Sequence, residues 1–124
     1  MIPKLYPALV LLLVLSVQSW AAPGDLDLAF GIAGKSMFPV GKVSADQGRA
    51  AALQPDGKIV VVGDSVTDGA YSGEVLNLIV TRLNPNGTRD ISFGTAGVVV
   101  LRLREPVNAT AVVLQPDGKI LVGG

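Results

Sequence analysis

An internal repeat is the sequence feature that most limits the folds open to this chain of 124 residues. The heptapeptide Leu-Gln-Pro-Asp-Gly-Lys-Ile occupies residues 53–59 and returns unchanged at residues 114–120, 61 positions later. A second pattern, Asp-x-x-Phe-Gly-x-Ala-Gly, occupies residues 27–34 and 90–97, which are 63 positions apart. The two spacings differ by two residues. The turn sequences are therefore kept while one loop between the motifs differs in length, as in repeated supersecondary units. A repeat of this kind predicts units that bury their apolar faces against one another.

The first 21 residues have the features of a secretory signal peptide. Lys4 is the only charged residue before an apolar run at 8–15, and Ser19 and Ala21 are small residues at the third and first positions before the predicted cleavage point. Cleavage one residue later would place a tryptophan at the third position, which is unfavourable. The apolar run is shorter than the roughly 20 residues of a membrane-spanning helix. We therefore expect a signal-peptide helix at 1–21, no membrane span in the mature chain, and a secreted, periplasmic or cell-envelope protein.

Composition and charge argue against a nucleic-acid partner and against a disulfide framework. Residues 22–124 carry nine basic and ten acidic side chains, since Lys4 lies before them. A near-neutral chain offers no electrostatic surface for a nucleic acid, so we expect no nucleic-acid partner. The sequence contains no cysteine, which excludes a disulfide framework. We also expect no cofactor.

Turn signals divide residues 22–124 into short strands. Pro-Asp-Gly at 55–57 and 116–118, and Pro-Asn-Gly at 85–87, lie between apolar runs. Asp-Gly favours a two-residue hairpin turn, which predicts a positive backbone angle φ at Gly57 and Gly118. The predicted strands lie near residues 36–40, 49–53, 58–62, 76–83, 98–103, 110–114 and 119–122.

The apolar runs indicate how these strands pack. Residues 59–62, 98–101 and 111–114 are continuously apolar instead of alternating with polar residues. Continuous runs predict strands that are covered on both faces, as in a series of stacked sheets. A β-solenoid also covers both faces but has shorter coils, and an immunoglobulin-like sandwich has no internal repeat. Since no stretch after the first 21 residues has helical periodicity, we predict an all-β chain of antiparallel, β-propeller-type units.

The repeated motifs resemble the bacterial delta-60 repeat family. The resemblance rests on the two motifs described above together with Arg-Leu-Asn-Pro-Asn-Gly at residues 82–87. It implies a β-propeller in an exported protein with no assigned activity. On this interpretation residues 22–124 are a repeat region, with a first full unit at 27–89 and a partial second unit at 90–124. Members of the family carry several units, so this chain is of fragment length by comparison.

Residues 62–69, Val-Gly-Asp-Ser-Val-Thr-Asp-Gly, resemble the block that carries the nucleophilic serine of the GDSL lipases and esterases. A serine hydroxyl needs a base to take its proton, and that family uses a histidine. This chain contains no histidine, and no α/β pattern follows the block. We therefore expect Ser65 to lie in a polar loop after a strand, and we predict no catalytic residue.

Five carboxylates are candidate oxygen ligands for calcium: Asp25, Asp27, Asp64, Asp68 and Glu74. An EF-hand loop needs glycine at its sixth position and glutamate at its twelfth. Counted from Asp64, Gly69 satisfies the sixth position, but Val75 stands at the twelfth. The sequence therefore predicts a solvated loop and no metal site.

Two kinds of side chain recur once in each unit. Phe30 and Phe93 are expected to wedge between adjacent sheets, since an aromatic ring at a fixed place in every unit is suited to packing. Asp27 and Asp90 are expected to accept hydrogen bonds from nearby backbone N–H groups, as in Asx turns. These repeated residues are thus predicted to have structural roles.

The sequence favours a non-enzymatic function. We predict an exported structural or interaction module of β-propeller repeat type, with an unknown ligand or protein partner. The alternative is a fragment of a propeller-type exported enzyme, a hydrolase or lyase, whose site lies outside this chain. Residues 120–122 are expected near an unprotected strand edge, so self-association or further repeats are expected to complete the fold.

Overall fold

The structure, a computed structural model, describes residues 22–40, 46–65, 77–103 and 107–124. The predicted signal-peptide helix lies outside these residues. Within them all regular secondary structure is β-strand, and every pair of strands is antiparallel. The predicted all-β fold is therefore confirmed. No helix in this part of the chain is long and apolar enough to cross a membrane.

Six strands form two sheets: β1 (Gln47–Leu53), β2 (Ile59–Ser65), β3 (Asn77–Leu83), β4 (Val98–Leu101), β5 (Ala111–Leu114) and β6 (Ile120–Gly123). The first sheet has the order β1-β2-β3-β4, and the second sheet is the hairpin of β5 and β6. Because β4 follows the second Asp-x-x-Phe-Gly motif, the first sheet continues past residue 89, where the first sequence unit was predicted to end. A strand from the following unit therefore completes this sheet.

The two sheets begin with equivalent hairpins. In the sequence repeat β1 and β2 correspond to β5 and β6, and β5 packs beside β1. A glycine at the same repeat position of each hairpin has the same surroundings: a Cβ at Gly63 would overlap the carbonyl oxygen of Gln47, and a Cβ at Gly124 would overlap that of Asn108. Neighbouring sheets with their equivalent strands side by side are arranged like adjacent blades of a propeller.

Side chains alternate between two faces of the first sheet, which we name face A and face B. The apolar side chains at the centre of face A, all buried, are Val60, Val62, Leu78 and Val80. The second sheet packs on them through Val112, Leu114, Ile120 and Val122. Burial of apolar side chains from both sheets stabilises the fold by roughly 1.5–3 kcal/mol for each fully buried one.

Face B carries Leu53, Val61, Ile79 and Thr81, which alternate with the face A residues along β1, β2 and β3. Residues 36–40 lie over part of this face. Ile79 and Thr81 are buried as a result, although no strand pairs with the covering segment among the described residues. The centre of the first sheet is thus covered on both faces, as its continuously apolar strands predict.

The prediction of a strand near residues 36–40 is wrong. Its counterparts in the sequence repeat, 99–103, begin in β4 and pair with β3, whereas the structure shows no strand at 36–40. Pro39 lacks an N–H donor, and no neighbouring strand is available to this segment in the described part of the chain. Tertiary contacts hold it instead: the Ser36 hydroxyl donates to the carbonyl oxygen of Gly87 over 2.6 Å, and Arg89 donates to that of Pro39 over 3.1 Å. The other six predicted strands are present, and their ends differ from the predicted ones by at most three residues.

The Pro-Asp-Gly turns have the predicted glycine conformation but a different length. Gly57 and Gly118 have φ values of 83° and 84°, so the predicted positive φ is confirmed. The N–H of Gln54 donates to the carbonyl oxygen of Lys58 over 2.7 Å, which leaves residues 55–57 as the loop. The loop therefore has three residues and not the predicted two, and Gly57 takes the left-handed position that closes such a loop.

Replacing Gly57 by Val is expected to lower the free energy of unfolding by about 1 kcal/mol or more, because a β-branched residue is strained at positive φ. A Cβ at this position would also lie 3.2 Å from Cγ of Pro85. Gly118→Val is the matched control, since its φ is the same but no atom lies within 4 Å of its added Cβ. Chemical denaturation measures both changes, and an unchanged midpoint for Gly57→Val would contradict the assigned turn.

Candidate functional site

Ser65 is the last residue of β2 and is fully buried. The prediction that it lies in a polar loop is therefore wrong. Its hydroxyl donates to the carboxylate of Asp46, whose other oxygen accepts the N–H of Val40 over 2.9 Å. This hydrogen bonding joins the end of β2 to the segment that covers face B. The hydroxyl is buried in this arrangement, and the chain contains no histidine to take its proton. Ser65 has a structural role in this arrangement.

Asp64, one residue earlier, is engaged by a bulge in β1. The pairing of β1 with β2 shifts between Gly48 and Ala50, so Arg49 is the extra residue of a β-bulge. Arg49 donates to both carboxylate oxygens of Asp64, from Nε over 2.8 Å and from Nη2 over 3.1 Å. Hydrogen bonding to Asp64 raises the pKa of the Arg49 guanidinium. The Asp64 carboxylate is thus buried and forms an ion pair with Arg49. The prediction that it belongs to a solvated loop is wrong.

Of the remaining calcium candidates, the two that the structure describes accept hydrogen bonds from nearby backbone groups. Asp25 accepts the N–H of Ala22 over 2.9 Å, and Asp27 accepts that of Ala29 over 2.9 Å, which confirms the Asx turn predicted at Asp27. Asp68 and Glu74 lie outside the described residues. In the described ranges no group of three or more acidic, histidine or cysteine side chains is placed to hold a metal ion.

The most highly connected polar group among the described residues is the carboxylate of Asp90. One oxygen accepts from Nζ of Lys58 over 2.9 Å and from Nε of Arg82 over 2.8 Å. The other accepts from the backbone N–H of Ser92 over 3.1 Å, which confirms the predicted Asx turn, and from its hydroxyl over 2.6 Å. Hydrogen bonds from Ser92, then from Lys58 and Arg82, lower the pKa of Asp90. The cluster ties the β1-β2 turn and the end of β3 to the chain that leads into β4.

The ion cluster at Asp90 was not predicted, although the sequence contains a signal for it. Lys58 belongs to the repeated heptapeptide and Asp90 to the other repeated motif, so the two charges recur together in the pattern. Arg82 also lies over the ring of Phe93, with its guanidinium carbon 4.7 Å from the ring centre. Phe93 packs against the buried cluster on face A, which supports its predicted packing role.

Equivalent apolar positions have opposite exposure in the two sheets. Val60 on face A is fully buried, whereas its counterpart Leu121 in β6 is 52% exposed. Leu53 on face B is 69% exposed, whereas its counterpart Leu114 in β5 is half-buried against the first sheet. These surfaces differ because a neighbouring sheet covers one member of each pair and not the other.

Face B also borders a cavity of about 550 Å³ between residues 36–40 and the first sheet. Its floor is formed by Val61, Ile79 and Thr81, and the start of β1 forms one wall. The lining is largely apolar, with Asp46 as its one carboxylate among the described residues. The cavity therefore fits an apolar surface better than a charged small molecule.

Residues 54–93 match a family described as a domain of unknown function (DUF5122) beta-propeller. The repeat is of β-propeller type. The matched stretch contains β2, β3 and the Asp90 cluster, and ends at Phe93, before β4 completes the first sheet. No curated protein and no solved structure matches the chain. The structure accordingly contains one complete antiparallel sheet of a propeller-type unit and part of the next.

Proposed function

We propose that this chain is an exported, non-enzymatic interaction module built from delta-60-type repeats. One observation carries the proposal: apolar positions that are buried in one sheet are exposed at the equivalent place in the other, as in the pair Val60 and Leu121. Exposed apolar faces of this kind mark sites of association with a protein partner. A β-propeller repeat is consistent with a structural or interaction role.

The geometry of the repeated Phe-Gly-x-Ala-Gly turn supports the delta-60 assignment. Gly31 and Gly94 have φ values of 59° and 55°, and Ala33 and Ala96 have φ values of 52° and 51°. A positive φ is unusual for alanine, so its occurrence at the same place in both copies indicates a strictly repeated turn. The motif that carries the family resemblance thus has the same conformation in both units.

The use of polar groups supports a non-enzymatic role. Three buried polar side chains in the described part of the chain are those of Asp64, Ser65 and Asp90. They form hydrogen bonds with the side chains of Arg49, Asp46 and Lys58, respectively. Groups held in this way stabilise the fold and do not face a substrate. The exposed side chains include the large apolar ones of Leu53, Val113 and Leu121, which suit binding.

Export is tested by the mass of the protein that leaves the cytoplasm. The full chain, expressed in a Gram-negative host, is expected to appear in the periplasm or medium with Ala22 as its first residue, because Ser19 and Ala21 provide the small side chains of the cleavage site. Intact mass spectrometry of the fractionated protein measures this directly. Replacing Ala21 by Lys should block processing. Exported protein that retains Met1, or folded protein confined to the cytoplasm, would count against the proposal.

A further inference from the structure

The internal contact between the two sheets joins two different kinds of face. The second sheet uses Val112, Leu114, Ile120 and Val122. Through the 61-residue repeat these residues correspond to Ala51, Leu53, Ile59 and Val61, which belong to face B of the first sheet. The contact is therefore a face of type B packed on a face of type A. An interface between two different faces is heterologous and can be extended from one unit to the next.

In the described part of the chain, an exposed surface corresponds to each half of this contact. The outer face of the second sheet is of type A and presents Val113 and Leu121, which are 59% and 52% exposed. Face B of the first sheet presents Leu53, and next to it lies the apolar cavity that residues 36–40 leave open. These two surfaces carry counterparts of side chains already joined inside the molecule: Leu121 stands at the position of Val60, and Leu53 at that of Leu114.

The two exposed surfaces also carry opposite charges, at the repeat positions that form an ion pair inside the molecule. Inside the molecule Lys58 pairs with Asp90, the first residue of the next repeated motif. The counterpart of Asp90 is Asp27, and no lysine or arginine pairs with it among the described residues. The counterpart of Lys58 is Lys119, whose one ion-pair partner in the described ranges is its turn neighbour Asp117, over 2.6 Å in an exposed position. One end thus offers an anion and the other a cation at equivalent places of the repeat.

We propose that copies of this chain associate head to tail, with the outer face of the second sheet of one copy packed on the part of face B, around Leu53, that residues 36–40 leave uncovered in the next. Lys119 of the first copy then approaches Asp27 of the second, as Lys58 approaches Asp90 within one chain. This inference deepens the proposed function, because it names a second copy of the chain as the partner of the exposed faces. Because the contact joins separate molecules, the association is expected to depend on concentration.

Two single substitutions and their mixture test the direction of this contact. Leu53→Lys places a charge on face B, and Leu121→Lys places one on the outer face of the second sheet. Both side chains are exposed in the single chain, so each variant is expected to fold. Ile91→Lys is the control, because Ile91 is 77% exposed in the turn after β3 and lies on neither face. The exported full chain and these variants are studied by analytical ultracentrifugation and by circular dichroism.

The wild-type protein and Ile91→Lys are expected to form species whose average mass rises with concentration. Each of Leu53→Lys and Leu121→Lys is expected to associate at least about tenfold more weakly, because the contact would bury an unpaired ammonium group. An equimolar mixture of the two is expected to form a dimer that grows no further, since each variant retains one intact face. Association of the mixture no stronger than that of either variant alone would overturn the proposal.

Two other results would also overturn it. If only one of the two variants dissociates, the contact joins two like faces and is not head to tail. If the exported wild-type protein melts cooperatively and stays monomeric at every concentration, the copies do not associate. Failure of export itself would instead remove the proposed function, so the two failures are distinguishable.

Discussion

Replacing Val60 by Asp is expected to lower the free energy of unfolding by at least about 3 kcal/mol, a large part of the stability of a small domain. Val60 is fully buried at the centre of face A, where the second sheet covers it. A carboxylate placed there loses its hydration, and the surrounding side chains are aliphatic. Circular dichroism during chemical denaturation measures the loss.

The repeat provides a matched control for this substitution. Leu121 occupies the position of Val60 in the next unit but is half exposed. Leu121→Asp introduces the same charge into a strand of the same pattern and is expected to change the free energy of unfolding by less than about 1 kcal/mol at low protein concentration. Similar losses for both variants would contradict the assignment of face A as the covered face.

Replacing Asp90 by Asn is expected to destabilise the protein at neutral pH and to weaken the dependence of its stability on acid pH. The substitution removes the negative charge that Lys58 and Arg82 share, while a side-chain oxygen remains for the N–H of Ser92. Two cations close to each other then lack their common counter-ion. Thermal melting at a series of pH values measures both effects.

The sign of the pH effect follows from the lowered pKa of Asp90 in the folded protein. A carboxylate with a lowered folded-state pKa contributes its full stabilisation above the pKa of the unfolded chain, about 3.9 for aspartate. That contribution is lost as the pH falls below this value toward the folded-state pKa. Wild-type stability should therefore decline below about pH 4, and Asp90→Asn should decline less over the same range.

Asp117→Asn is the control for the acid effect. The hydrogen bond from Lys119 also lowers the pKa of Asp117, but this pair is exposed and solvent screens it. We expect little change in stability or in its pH dependence. An Asp90→Asn variant with the acid profile of the wild type would show that the cluster does not stabilise the fold.

Much of the local structure was predictable because it depends on residues close together in sequence. The all-β class, six of the strands, the positive φ of the turn glycines and the Asx turns at Asp27 and Asp90 follow from hydrophobic pattern and turn chemistry. Turn length was not predictable in the same way. The Asp-Gly pair fits a two-residue loop and a three-residue loop with a closing left-handed glycine equally well.

Features that depend on distant residues were missed or misplaced. Residues 36–40 have the pattern of a strand, but a strand requires a partner, and none lies beside this segment among the described residues. Ser65 reads as polar and therefore exposed, yet Asp46, 19 positions earlier, satisfies its hydroxyl inside the fold. The bulge that directs Arg49 to Asp64 was not predicted, although Gly48 beside it is a residue type that often marks a bulge.

The sequence by itself determined where the turns and six of the strands lie, and that these strands are apolar on both faces. Only the tertiary structure decided which of those faces is covered. Val60 and Leu121 follow the same repeated heptapeptide, so the residues around them do not predict that Val60 is buried and Leu121 is exposed. The difference arises because burial requires a second surface, and the neighbouring sheet supplies that surface to Val60 but not to Leu121.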